Sequence, residues 1–517
     1  MSLRPLIAIC GTTGVGKSKL AIELAQALSQ SKYGINGYHG ARIINADAMQ
    51  VYAGMDIITN KVPLEEQAGV EHLLMGYKKP GEQYVVGQWV KDAIEAIEET
   101  HRRNQVPIIV GGTSYWIQHL IFPNRLASLE RLNEKDERPP APMSETLATA
   151  VNALSQKSSE LYHDLPKQLS SDYTDADSAS ALYSLLSSLD PQMAQRWHWK
   201  DSRKVLRSLN IIKESGRLGS ELVSEQNQVN DPPRYRSLLL WLYANPELLF
   251  PRLDSRVDVM IERGLLQEVQ ELIDLAKSPP EVDASETNGE EPKFDYTLGL
   301  YQSIGFKEFS QYLAMPDSPE KEKIYAAAVE RMKLSTRQYA KKQVSWLRNK
   351  LLPAANSVNA ASQSAGELPV IPAYLLDATD LSTWDTSIRN KAEHIMEDFL
   401  SERELPNPLS TSETAATLLS LPEKDVSPAA VLNARRKIIC PICTVNPEQP
   451  MMVEEGKEWN AHVGTRFHRK MQRRAEHGHE WEARKKQRIA AEAREREVVD
   501  DVGPNQEVDD QRNNSSD

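Results

Sequence analysis

Residues Gly11 to Ser18 read G-T-T-G-V-G-K-S and follow directly on the apolar run Leu6 to Cys10. A strand that feeds a glycine-rich turn and then a helix leaves few folds open: it belongs at the carboxyl edge of a parallel sheet with helices on its faces. Gly11, Gly14 and Gly16 allow the backbone amides of Thr12, Thr13, Val15 and Ser18 to turn inward onto phosphate oxygens. Lys17 adds a point charge, the Ser18 hydroxyl suits Mg2+, and the helix N-terminus behind them favours anions. The pattern predicts a diphosphate cradle and leaves open which compound it holds.

The stretch that follows keeps alternating strand and helix: Ala41 to Ala46 a second strand, Gln88 to Arg103 a helix, and Val106 to Val110 a third strand ending in Gly111-Gly112-Thr113. This predicts an α/β fold, a P-loop NTPase-like parallel sheet flanked by helices, with its site outside the carboxyl ends of the strands. There the phosphate loop, Asp47 and Thr113 should converge. Residues 1–123 are expected to form the first part of a catalytic core and 124–190 an inserted helical domain approached through R-P-P-A-P at 138–142. Residues 191–352 should complete the core with a strand at Arg236 to Tyr243 and three helices. These are Arg203 to Glu214, Pro251 to Ala276 with Arg252, Arg256 and Arg263, and Glu320 to Leu352. Ser278 to Lys293, rich in Pro, Glu and Asp, suggests a disordered insertion. Residues 353–435, rich in Ala, Ser and Pro, suggest a linker with one helix from Ser387 to Glu402. A small module at 436–498 and a disordered acidic tail at 499–517 complete the chain.

With 517 residues the chain is too long for one core. Mean hydropathy of −0.51, 26% charged residues and the absence of an apolar run of about 18 residues argue against a membrane span. A soluble monomer in the cytoplasm is expected, with mitochondrial and nuclear pools left open, and no targeting segment is expected ahead of the first strand. Three cysteines exclude a disulfide framework, and Cys10 should be buried on its strand. A formal charge of −12 argues against non-specific nucleic-acid binding by the whole surface. Base nevertheless concentrates in Arg331 to Arg348 and in Arg466 to Arg488, two stretches that can each face a polyanion.

A P-loop NTPase ordinarily ends a hydrophobic strand in an aspartate that holds Mg2+, yet V-P-I-I-V-G-G-T has none. The carboxylate comes instead from I-I-N-A-D-A-M-Q-V-Y, where Asp47 should emerge beside the phosphate loop. Spacing alone allows it to be either a catalytic group or a turn carboxylate. Near the C-terminus, Cys440-x2-Cys443-x18-His462-x5-His468 suits tetrahedral Zn2+. A module this short cannot build a core, so metal would supply much of its folding free energy. The following R-F-H-R-K-M-Q-R-R suggests contact with a nucleic-acid backbone, a protein partner being the alternative; His477 and His479 fall outside the ligand set.

The segments G-T-T-G-V-G-K-S, A-D-A-M-Q-V-Y-A-G-M-D-I-I-T-N-K, G-G-T-S-Y-W, D-P-Q-M-A-Q-R-W-H-W-K-D-S-R-K-V-L-R-S-L, Q-S-I-G-F-K-E-F and T-R-Q-Y-A-K-K-Q-V-S-W-L-R occur in one order. In that order they resemble the tRNA dimethylallyltransferases, eukaryotic branch, over about residues 4 to 352; the C-terminal module resembles matrin and U1-type C2H2 fingers. The resemblance implies transfer of a dimethylallyl group from dimethylallyl diphosphate to N6 of adenine 37 in the tRNA anticodon stem-loop, giving N6-isopentenyladenosine. It implies Asp47 as general base and Thr113 near the bridging oxygen. Gly11, Thr12, Thr13, Gly14, Val15, Gly16, Lys17 and Ser18 would hold the diphosphate, with Mg2+ on Ser18. An arginine would stabilise the leaving group, Arg256 being preferred to Arg252. Contacts to tRNA are expected from Asp47, Ala48, Met49, Gln50, Arg203, Lys204, Arg207, Gln302, Ser303, Gly305, Lys307, Arg337, Gln338, Lys341, Lys342, Gln343 and Arg348, with Trp346 in the core. Ala48 stands where the family has serine. Two other readings compete. An NTP-dependent small-molecule kinase leaves the finger and basic helices unexplained, and a non-catalytic RNA-binding protein has no need of Asp47, Thr113 and Lys17 together.

Overall fold

The computed structural model describes residues 3–30, 35–123, 142–166, 175–228, 232–277, 299–420 and 436–476. The acidic insertion, most of the proline-rich approach at 138–142, His477, His479, the basic residues past 476 and the acidic tail lie outside the described residues.

In chain order the elements are β1 (Pro5–Gly11), α1 (Lys17–Gln30), β2 (Ala41–Asn45), β3 (His72–Leu73), α2 (Val86–Arg102), β4 (Val106–Val110) and α3 (Ser114–Ile121). Five helices come next: α4 (Glu145–Asn152), α5 (Gln156–His163), α6 (Ala176–Leu189), α7 (Pro191–Ala194) and α8 (Ser202–Ser215). They are followed by α9 (Gly219–Gln228), β5 (Arg236–Tyr243), α10 (Pro246–Glu262), α11 (Leu265–Lys277), α12 (Phe306–Ala314) and α13 (Lys321–Trp346). The remainder is α14 (Leu352–Ser364), β6 (Ala373–Asp377), α15 (Asn390–Leu400), α16 (Glu413–Leu419), β7 (Lys437–Ile439), β8 (Met452–Glu454) and a short helix, Lys457–Val463.

Contacts divide the chain into two units, Met1–Pro139 with Val223–Pro428, and Pro140–Leu222 with Ala429–Asp517. The first is built on a six-stranded sheet, order β3-β2-β4-β1-β5-β6, with every pairing parallel. Parallel strands covered on both faces need apolar side chains at every position. P-L-I-A-I-C-G meets that demand, all seven residues being buried. Alternation then sends Ile7 and Ile9 to one face, among Leu20 and Leu24 of α1 and Ile395 and Phe399 of α15. Leu6, Ala8 and Cys10 go to the other, among Trp89 of α2 and Trp116 of α3. Cys10 is buried as expected, and burial pushes its thiol up to about 12.

Several elements differ from the sequence expectation. The described part of the stretch, 353–420, is not a linker: it supplies most of α14 with β6, α15 and α16, and β6 pairs with β5 from Leu239↔Ala373 to Tyr243↔Asp377. A five-residue apolar run set among Ala, Ser, Thr and Pro carries too little periodicity to be told from its surroundings. The single helix expected from Pro251 to Ala276 is two, α10 and α11, parted at Gly264, whose φ of +104° ends the helical path. The basic helix expected to stop at Leu352 continues through a wider π-type turn, Leu347–Leu351, into α14. Pro353, which has no N–H to donate back along this continuous path, falls directly after the wider turn.

The second unit joins two parts that the sequence suggested were separate, the helical insertion and the C-terminal module. It also takes in α8, expected in the core. The Trp199 indole N–H donates to the Pro450 carbonyl (2.9 Å), the Lys437 amide to the Gln195 carbonyl (2.7 Å) and the Gln449 side chain to Asp177 (2.8 Å). Ser180 donates to the Glu448 carbonyl, and Ala179, Trp199 and Met452 form a small apolar cluster. No helix among the described residues is long and apolar enough to cross a membrane.

Because Leu375 of β6 is buried in the main core, Leu375→Ala should destabilise the first unit by about 2–5 kcal/mol, read as a lower urea midpoint. A linker position would leave the midpoint unmoved.

Candidate active site and metal centre

At the end of β1 the chain passes so close to β5 that a Cβ on Gly11 would overlap the Leu242 carbonyl, and its φ is +142°. The loop that follows turns through Gly14 and Gly16, at φ +80° and +86°. Lys17 folds back so that its ammonium donates to the Thr12 carbonyl (2.7 Å). Burial pulls Lys17 down to about 8; nearby Asp47 and Cys10 oppose the shift and Arg256 adds to it. The Thr12 hydroxyl is buried without a protein partner among the described residues.

One expected amide is diverted from the cradle. The Thr13 N–H donates to Gln343 Oε1 (2.9 Å), while Gln343 Nε2 donates to the Gly112 carbonyl (3.0 Å). Gln343 is 4% exposed. It therefore ties the phosphate loop to the Gly-Gly-Thr turn from a buried position, where the sequence reading had counted it among the tRNA contacts.

Asp47 leaves β2 held by its neighbours. Its amide donates to Asn45 Oδ1 (3.0 Å) and its Oδ1 accepts from the Met49 amide (3.0 Å). Its Oδ2 faces the Gly112 turn, 3.1 Å from where a Gly112 Cβ would lie. One carboxylate oxygen is thus oriented by the backbone and the other is available. Thr113 stands at the N-terminus of α3 but makes no side-chain cap bond. Its hydroxyl instead accepts from the Ala48 amide (3.1 Å), which joins the Asp47 and Thr113 loops.

The two candidate arginines separate. Arg252 donates to the carbonyls of Ala378 (3.3 Å) and Thr379 (2.9 Å), fastening the loop after β6. Arg256 is enclosed beside Asp47 and Lys17, its Nε without a partner among the described residues; burial lowers its pKa and Asp47 opposes that. The sequence reading missed Tyr339, whose hydroxyl hydrogen-bonds with Thr113 and Gln343. Burial raises this phenol and Asp47 adds to the rise. The available signal was its place one helical turn before Gln343 in T-R-Q-Y-A-K-K-Q.

In the second unit, the ligand atoms of Cys440, Cys443, His462 and His468 lie within 4.8 Å of one another. His468 Nδ1 is 3.5 Å from each sulfur and 3.2 Å from His462 Nε2. A tetrahedral ion with bonds of about 2.3 Å to sulfur and about 2.0 Å to nitrogen sets S···N edges of about 3.5 Å and N···N edges of about 3.3 Å. The donor set and its spacing therefore fit Zn2+. The long interval between Cys443 and His462 has a structural reason as well: it contains Glu448, Gln449 and Pro450, the residues that dock on α6 and Trp199.

The IPP transferase family model matches residues 50–350. The chain belongs to that family. It is 33% identical to the tRNA dimethylallyltransferase of Schizosaccharomyces pombe over 481 residues, 91% of this chain and 96% of the relative. The enzyme of the same description from Saccharomyces cerevisiae is 33% identical over 489 residues, covering 94% and 97%. Among solved structures, a eukaryotic dimethylallyltransferase acting on tRNA matches with TM-score 0.66 and 32% identity, covering 93% of this chain and 100% of that one.

The remaining residues expected to serve the transferase in tRNA contact divide between the two units. In the first, Gln302, Lys307, Gln338, Lys341 and Lys342 are exposed and Arg348 is half-buried. Arg337 is paired with Asp254, and Lys341 lies 5.2 Å over the Phe250 ring. Gln50 Nε2 donates to the Thr59 and Asn60 carbonyls (3.1 and 3.0 Å), and Met49 and Ala48 pack against the core. Ser303 is buried with an unpartnered hydroxyl among the described residues, and the Gly305 amide donates to Glu308 (2.8 Å). Trp346 is half-buried and donates to Gln118 (3.1 Å). Arg203 and Arg207 are exposed in the second unit, and Lys204 there pairs with Asp201 at 3.4 Å.

Stripping metal from the full chain, or Cys440→Ser, should lower the melting temperature of the second unit by several degrees. Trp199 emission should shift red as its bond to Pro450 is lost, followed by fluorescence during a thermal scan.

Proposed function

We propose that the enzyme, a transferase of a dimethylallyl group to tRNA, joins the group to N6 of adenine 37 beside the anticodon, with Asp47 as general base and the phosphate loop holding the diphosphate of the donor. The observation that carries this reading is the available Asp47 oxygen facing an enclosed pair of cations, Lys17 and Arg256. An exocyclic amine is a weak nucleophile. As its lone pair attacks C1 of the allyl chain, Asp47 Oδ2 takes the N6 proton, the C1–O bond breaks, and the electron pair leaves with the diphosphate.

Charge grows on the departing oxygens, where Lys17, Arg256 and the loop amides from Gly14 to Ser18 stand ready without reorganising. Thr113, whose hydroxyl accepts from the Ala48 amide, would hydrogen-bond the bridging oxygen. The Ser18 hydroxyl suits Mg2+, which when bound would neutralise part of the diphosphate charge. Adenine 37 must leave its stack, at a cost of a few kcal/mol that contacts to the RNA backbone must offset. The exposed Lys307, Lys341, Lys342, Arg203 and Arg207 supply them.

The kinase alternative loses ground at Gly111. A Cβ there would overlap the backbone of Ala46, so position 111 itself cannot carry the aspartate that a nucleotide-hydrolysing site uses. Labelled dimethylallyl diphosphate incubated with anticodon stem-loop RNA should place label on adenine; phosphate transfer from ATP to a small acceptor would overturn the reading.

Asp47→Ala should lower kcat by about 10²–10⁴ while the donor KM changes little, measured by steady-state transfer at saturating RNA. The free site binds the Lys17 proton only below about 8, and a bound diphosphate favours the ammonium. Donor affinity should therefore be full below that pH and fall as pH rises through it, by up to about tenfold per unit; titrations at stepped pH check this, and Lys17→Met should flatten the fall.

A further inference from the structure

We propose that Trp384 is a positioning residue for the phosphate loop, a brace delivered by the segment between β6 and α15 that holds Gly16 and the start of α1 in their anion-binding form. The proposal rests on the reading that this loop holds the diphosphate.

Trp384 is 5% exposed. The edge of its six-membered ring lies against Gly16, where a Cβ would come within 2.7 Å of Cη2 and 2.8 Å of Cζ3. Gly16 sits at φ +86°, and its carbonyl accepts the Leu20 amide (3.0 Å) in the first turn of α1. The indole is fixed on two further sides. Its N–H donates to Glu23 Oε2 (2.8 Å), and Lys19 Nζ lies 4.5 Å over its ring while pairing with Glu23 at 3.9 Å. The turn that carries Trp384 is itself anchored, for Arg252 donates to the Ala378 and Thr379 carbonyls and the Asn245 amide to Thr379 Oγ1 (2.9 Å).

A glycine at positive φ has many other conformations open to it, and each one left accessible in the free loop must be lost when the anion binds. A rigid indole edge against Gly16 removes that freedom beforehand. Residues beyond 350, where the family match ends, thereby complete the phosphate site. Arg252 serves it through the same turn and does not need to touch diphosphate.

Inorganic pyrophosphate titrated calorimetrically into the full chain tests the brace, with stem-loop RNA affinity measured in parallel. Trp384→Ala should weaken pyrophosphate binding about tenfold and leave RNA affinity unchanged. Trp384→Phe, whose shorter ring refills part of the space without the N–H and without the edge against Gly16, should recover only part of the loss. Glu23→Ala, which frees the indole N–H, should weaken pyrophosphate about threefold. Pyrophosphate affinity within twofold of the unmodified chain in Trp384→Ala overturns the brace, and if that variant does not fold, the same criterion applies to Glu23→Ala. Failure of the unmodified chain to bind pyrophosphate would instead overturn the reading of the loop on which the brace depends.

Discussion

At the carboxyl edge of the sheet the backbones approach so closely that two positions have no room for a methyl group, Gly11 against Leu242 and Gly111 against Ala46. Most of the site follows from this crowding. It brings the phosphate loop, the Asp47 turn and the Gly-Gly-Thr turn within side-chain reach of one another, and Gln343 can bridge two of them with a single amide. After the neighbouring strand β2, Asp47 emerges with its Oδ1 held by the Met49 amide.

The electrostatics of the free site are unfinished in the same place. Lys17 and Arg256 are both withdrawn from water, and both have their pKa lowered chiefly by that withdrawal. Asp47 compensates one positive charge of two. Burying an unpaired cation destabilises a fold, and under the proposed reading a diphosphate would supply the missing negative charge. The Arg256 Nε and the Thr12 hydroxyl are both buried without a partner among the described residues.

The parts legible in the sequence were those whose chemistry is local. The phosphate loop, Asp47 after its strand, Thr113 after its glycines and the Cys/His spacing are each written within a few dozen residues. The structure gathers them as that spacing implies. What escaped is long-range. Thr13 meets Gln343 across 330 positions and Trp384 meets Glu23 across 361, and no periodicity announces such pairs. Gln343 was expected among the tRNA contacts; it is buried and bridges the phosphate loop to the Gly-Gly-Thr turn. β6 escaped for a compositional reason, since A-Y-L-L-D lies in a stretch whose Ala, Ser and Pro content resembles that of a tether.

The C-terminal module carries the same lesson further. Its Cys/His spacing was readable, but the use of the 18 residues between Cys443 and His462 was not. Glu448, Gln449 and Pro450 use that extra length to bond with α6 and Trp199. The same unit contains α8 with Arg203 and Arg207. The helical insertion has buried apolar residues of its own, Leu182, Leu186, Val205 and Leu209 among them, and the C-terminal module, whose four ligand atoms are spaced for a metal ion, bonds to its surface within the same unit.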